Sequence, residues 1–144
     1  SLDIYLEILF KIDQDKYIEL IINEFNASLR TTSDYIAYTY HLLKLGYYKD
    51  IYDIYQKLVN EENSIVDTQD AVLRINYSLA KKGLGKKITL TNLEGIINKE
   101  KELPQTAAAN ILIDTPASIT EANKIIINLI KDNYLYYYYL QQCQ

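Results

Sequence analysis

Apolar residues recur at steps of three and four along almost the whole chain, which is the period of one helix face. Leu2, Tyr5, Leu6 and Leu9 make a first stripe, ending near Ile12. Asp13 is placed to cap a second helix, with Tyr17, Leu20, Ile21 and Phe25 turned inward. After the polar stretch NASLRTTSD, a third helix carries Tyr35, Tyr38, Leu42 and Leu43 up to Gly46, and a fourth runs from about Tyr47 to Val59. The break NEENSIVD precedes a fifth, which Asp67 or Thr68 would cap and which holds Val72, Ile75, Leu79 and Ala80 as far as Gly83.

The second half continues the pattern after the loop GLGKKITL. TNLE, from Thr91 to Glu94, has the spacing of a capping box, in which hydroxyl and carboxylate each take a free backbone N–H. It would open a sixth helix with Leu93, Ile96 and Ile97 inward. Pro104 suits the first turn of a seventh, where its missing N–H is not needed. SITE, from Ser118 to Glu121, is a second capping box, opening an eighth with Ala122, Ile125, Ile126 and Leu129. The tyrosine-rich end, residues 133–144, reads as a further helix, because a lone strand would have nothing to pair with. With two prolines and four glycines, the chain has little material for a turn-rich β architecture.

The expected fold is therefore all-α, and its helices group into pairs. First members start near residues 2, 33, 67 and 104, separated by 31, 34 and 37. A two-helix unit recurring at that length is the signature of a stacked array, an α-α superhelix of about eight or nine helices. Each hairpin alone exposes its apolar face, and stacking buries that face against the next. At 144 residues the array forms a single domain, 1–144. The chain contains no Met and enters a helical pattern at once, so it is expected to be a segment of a longer protein.

Charge is unevenly spread. Residues 1–70 hold six Lys/Arg against thirteen Asp/Glu, a balance of −7, and residues 71–144 hold nine against six, or +3. The basic excess centres on Arg74, Lys81, Lys82, Lys86 and Lys87 and is a docking surface for an acidic partner, or simply a solvated face. A net charge of −4 disfavours nucleic acid. Cys143 is alone, so no internal disulfide forms and a reducing, cytoplasmic compartment fits. The longest apolar run, near KIIINLIK, is too short for membrane insertion.

Chemistry is sparse. His41 is the only histidine, and a metal site needs further His or Cys partners. Cys143 lacks a neighbouring base. The acidic groups Asp13, Asp15 and NEEN fall at helix boundaries, where carboxylates belong on dipole grounds. GLGKK lacks the spacing and the preceding strand of a phosphate loop. No catalytic residue, metal or cofactor is expected.

The stretch LGYYKDIYDIYQKL, from Leu45 to Leu58, resembles the tetratricopeptide repeat (TPR). Laid on Thr32 to about Ser64, that pattern puts Tyr35 at the first aromatic place, Tyr38 and Leu42 at large apolar places and Thr39 at the small one. Gly46 falls at the turn, with Tyr48 after it and Tyr55 at the aromatic place of the second helix. Ile75, Leu79 and Gly83 keep step in the next unit, and Ala107 to Ala109 supply small residues to the one after, so the repeats are degenerate. The resemblance implies a concave groove lined by first-helix residues: Ile36, Tyr40, Leu43 and Lys44, then Leu73, Arg74, Tyr77 and Lys81, then Asn110. Such a groove, mixing rings with cations, would bind a protein or peptide.

The expected function is thus a non-catalytic scaffold or peptide-binding module. Two alternatives are the peptide-sensing effector domain of a bacterial transcription regulator and the helical appendage of a larger enzyme. The C-terminal tyrosine-rich helix also offers a surface for self-association.

Overall fold

The computed structural model describes residues 2–62, 64–88, 93, 112, 119, 120 and 122–124. It is mostly helical, with no strand among the described residues. Helix α1 spans Leu2–Ile12 and α2 spans Gln14–Glu19, continuing into a π-helical segment over Leu20–Phe25. Helices α3, α4 and α5 span Thr32–Leu45, Tyr48–Asn60 and Ala71–Gly83. Counting the π segment, that makes six helical elements among the described residues rather than eight or nine. The expected sixth to ninth helices, with both later capping boxes, fall on a stretch of which only a few residues are described. Leu93, Leu112 and Ala122 are buried there.

Local chemistry explains each boundary. Asp13 accepts a hydrogen bond from Lys16 N at 3.1 Å and starts α2 as expected. A capping box opens α3: Thr31 Oγ1 accepts from Asp34 N, and Asp34 Oδ2 accepts from Thr31 N at 2.9 Å. Gly46 ends α3 with φ 74°, a left-handed turn in which Gly46 N and Tyr47 N reach back to Leu43 O and Leu42 O.

Two expectations are corrected. The cap of α5 is Asp70, whose Oδ1 accepts from Val72 N and Leu73 N, not Asp67 or Thr68. Asp67 instead closes a turn onto Gln69 N, and its own N–H donates to Thr32 Oγ1, which pins the loop to the start of α3. Tyr5 is 48% exposed rather than inward, because Leu6 and Leu9 carry the buried edge of α1.

One buried cluster joins the helices: Leu6, Leu9, Tyr17, Ile21, Tyr38, Leu42, Ile51 and Ala80. Smaller contacts among Leu58, Val66 and Leu73, with Tyr35 and Tyr55 against them, hold the α4–α5 connection. Helix α1 packs on α2, the π segment packs on α3, and α5 lies against both α3 and α4. Among the described residues, α3 thus leans on the π segment and α5 on both α3 and α4. Residues 75–80 of α5 are all buried, so the middle of this helix is enclosed, while Lys82 and Gly83 at its end are exposed. No helix among the described residues is long and apolar enough to cross a membrane.

Candidate functional site

Helices α1, α3 and α5 line a cavity of about 400 Å³. Its wall consists of Glu7 from α1, Ser33, Ile36, Ala37, Tyr40 and His41 from α3, and Val72 and Asn76 from α5. Two successive turns of α3 supply most of it, since positions 33, 36, 37, 40 and 41 share one helix face. The volume is within the range of small-ligand and side-chain pockets.

Behind the wall sits a hydrogen-bonded aromatic group. Tyr17 OH and His41 Nδ1 are 2.6 Å apart, and both side chains are buried. The rings of Tyr17, Phe25 and Tyr40 meet His41 edge-on at centroid distances of 5.5–6.1 Å. Burial holds the Tyr17 phenol well above its ordinary pKa, and the Glu7 carboxylate adds to that by repelling a phenolate. Tyr17 thus stays neutral and serves packing.

At the cavity's edge Lys44 makes an ion pair with Glu7 Oε1. The Lys44 side chain is only 3% exposed, and its ammonium lies 5.1 Å from the Phe10 ring centre and 4.9 Å from that of Tyr40. A carboxylate and two ring faces thus enclose one cation. Deeper in, Asn76 is 1% exposed. Its Nδ2 donates to Thr39 Oγ1 at 3.0 Å and Ile36 O at 3.3 Å, leaving Oδ1 with no hydrogen-bond partner among the described residues. A buried amide oxygen without a donor is costly, so the position is informative.

The residues expected to line a groove divide. Ile36 and Tyr40 are on the cavity wall, with Lys44 beside it. Leu43 is half-buried against the main core. Leu73 is buried against Leu58 and Val66. Tyr77 is buried on the other flank, stacked on Tyr55 at 4.1 Å and Tyr52 at 5.5 Å, with its hydroxyl bonded to Gln56 Nε2. Arg74 acts electrostatically on Tyr55, and the Lys81 ammonium lies 5.8 Å from the Tyr77 ring centre. These four gather between α4 and α5, away from the cavity. Asn110 lies outside the described residues.

Glu7 and Asn76 are cavity residues that periodicity did not select, and Val72, which lies on the periodic stripe of α5, was not among the expected groove residues. For Asn76 a signal existed: it aligns with the buried Thr39 when Gly46 and Gly83 are superposed, and the two side chains hydrogen-bond. Among the described residues, no group of three or more His, Cys, Asp or Glu is placed to hold a metal ion. No family model matches the chain, nor does any curated protein or solved structure.

Proposed function

We propose that the chain is a non-catalytic interaction module, a TPR-like solenoid segment that holds a protein or peptide on its concave face. The observation that carries this reading is the composition of the cavity wall: among the described residues, only α1, α3 and α5 contribute to it. In a right-handed stack of helical hairpins the first helices line the inner curve, and the second helices form the outer one. The packing of α5 on both helices of the preceding hairpin agrees with such stacking. Apolar walls from Ile36, Ala37 and Val72, with the Tyr40 ring, would seat one or two side chains of an extended partner. The basic stretch from Arg74 to Lys87 would meet an acidic part of the same partner at the array's other flank.

A peptide library panned against the chain tests this. Selected peptides should lose binding to Tyr40→Ala while Val59→Ala, on an exposed part of α4, binds normally and both variants keep the wild-type circular dichroism. Peptides that bind equally to both variants would place the interaction elsewhere and end this assignment.

A further inference from the structure

Three features of the cavity call for the same kind of guest. The first is hydrogen-bond demand. Lys44 holds Glu7 Oε1, and the buried Asn76 Oδ1 has no donor among the described residues. That oxygen can only accept, because the Asn76 Nδ2 is committed to Thr39 Oγ1 and Ile36 O. A guest that supplies N–H groups satisfies it, and one that brings another carboxylate does not.

The second is that this edge already holds an ammonium ion. Lys44 lies between the rings of Phe10 and Tyr40 with Glu7 as counter-ion, which demonstrates that the local chemistry accepts a lysine head. The third is field and shape. The cavity belongs mainly to the part of the chain with a balance of −7, and its Ile36, Ala37 and Val72 surfaces match a methylene stem.

We propose that the α1–α3–α5 cavity receives the side chain of a lysine from a partner peptide, its ammonium drawn to Glu7 and the Tyr40 ring and its stem laid on Ile36 and Val72. This rests on the peptide-binding reading above and names the residue type that would anchor the partner. Lys44 is then a built-in competitor: it neutralises Glu7 when no guest is present and shares or yields the carboxylate when one arrives.

The test uses three probes on the whole chain at low salt: the blocked tripeptide Ac-Ala-Lys-Ala-NH2, the same peptide with norleucine for lysine, and n-butylammonium. Titration followed by amide chemical shifts should show the lysine peptide binding about tenfold tighter than the norleucine peptide, the scale of one cation–π or charge-assisted contact. Shifts should centre on Glu7, Ile36, Val72 and Asn76. Glu7→Gln should erase the preference, and Lys44→Met, which frees the carboxylate, should raise lysine-peptide affinity.

Equal binding of the lysine and norleucine peptides by the wild-type chain overturns the proposal without any variant having to fold. So does a lysine preference that survives Glu7→Gln. Butylammonium binding as tightly as the peptide would assign the cavity to free amines and overturn the peptide source. If library peptides bind through Tyr40 with no preference for lysine, this inference falls while the interaction module stands.

Discussion

Helices α3 and α5 carry the same side chains at the same spacing: Tyr40, Lys44 and Gly46 in one, Tyr77, Lys81 and Gly83 in the other. The structure uses them differently. Tyr40 faces the cavity and Lys44 closes onto Glu7 of α1. Tyr77 lies flat on Tyr55 of α4, and Lys81 is over its ring. Gly46 is needed for its left-handed backbone, with open space where a Cβ would stand. Gly83 has no such φ, and an added Cβ would come within 2.4–2.6 Å of the Tyr48 ring. Matching positions relative to the helix end set which face of a helix a residue occupies. What that face meets is set by the neighbours, and α5 is enclosed where α3 is open.

The largest expected effect separates the two helices by their tyrosines. Tyr17 and Tyr38, around α3, and Tyr55 and Tyr77, around α5, are all raised above the ordinary phenol value, with burial as the leading cause in each. A phenol whose folded pKa exceeds its unfolded value of about 10 contributes stability that is fully present below that value. The contribution is lost as pH rises toward and through the folded pKa. Stability should therefore hold up to about pH 10 and fall steeply above it. Tyr17→Phe should weaken the alkaline fall, the other three phenols keeping part of it, and lose the bond to His41 at a cost of about 1–3 kcal/mol at neutral pH. Urea unfolding at a series of pH values, read beside tyrosinate absorbance, checks both. Stability that is unchanged well above pH 11 would mean that these rings are not the buried seams described.

A smaller effect tests the two glycines. Gly83→Ala should cost about 1–3 kcal/mol by overpacking, because the Tyr48 ring must move. Gly46→Ala should cost about 1–2 kcal/mol through left-handed backbone strain alone. Tyr48→Ala is the discriminating partner. In a double-mutant cycle it should relieve most of the Gly83→Ala penalty and none of the Gly46→Ala penalty. Equal coupling to both would show that one mechanism, not two, governs the pair.

Helix existence was legible because burial at steps of three and four leaves a trace in composition: α1 to α5 start and stop close to where Ile12, Asp13, Gly46 and Gly83 indicate. The cap of α5 was not, since Asp67, Thr68 and Asp70 are all capping types and only tertiary ties to Thr32 and Tyr55 decide among them. The π segment left no readable signal, because a single widened turn keeps the same apolar residues inward. At the cavity, Ile36 and Tyr40 share the α3 face that register picks out, whereas the presence of Glu7 and Asn76 depends on which helices flank α3. For Tyr77, register says nothing of whether a neighbouring helix covers it, and α4 does so through Tyr52 and Tyr55.

The smallest effect concerns how the two helices begin. Asp70 accepts two N–H groups through one oxygen, so Asp70→Ala should cost about 1 kcal/mol within the usual 0.5–2 range. Thr31→Ala should cost no more than about that, since Asp34 would still hold the Thr31 and Arg30 N–H groups. The start of α3 should nevertheless be the acid-sensitive one. Hydrogen bonds from the Thr31 and Arg30 backbone lower the Asp34 pKa. Its contribution is therefore present above the unfolded value of about 4 and is lost as pH falls through the folded one. Asp34→Asn, which keeps an oxygen but not the charge, should flatten that part of the acid limb in urea unfolding. If the limb is unchanged, the capping box adds geometry to α3 but no charge-dependent stability, and the difference between the two helix starts disappears.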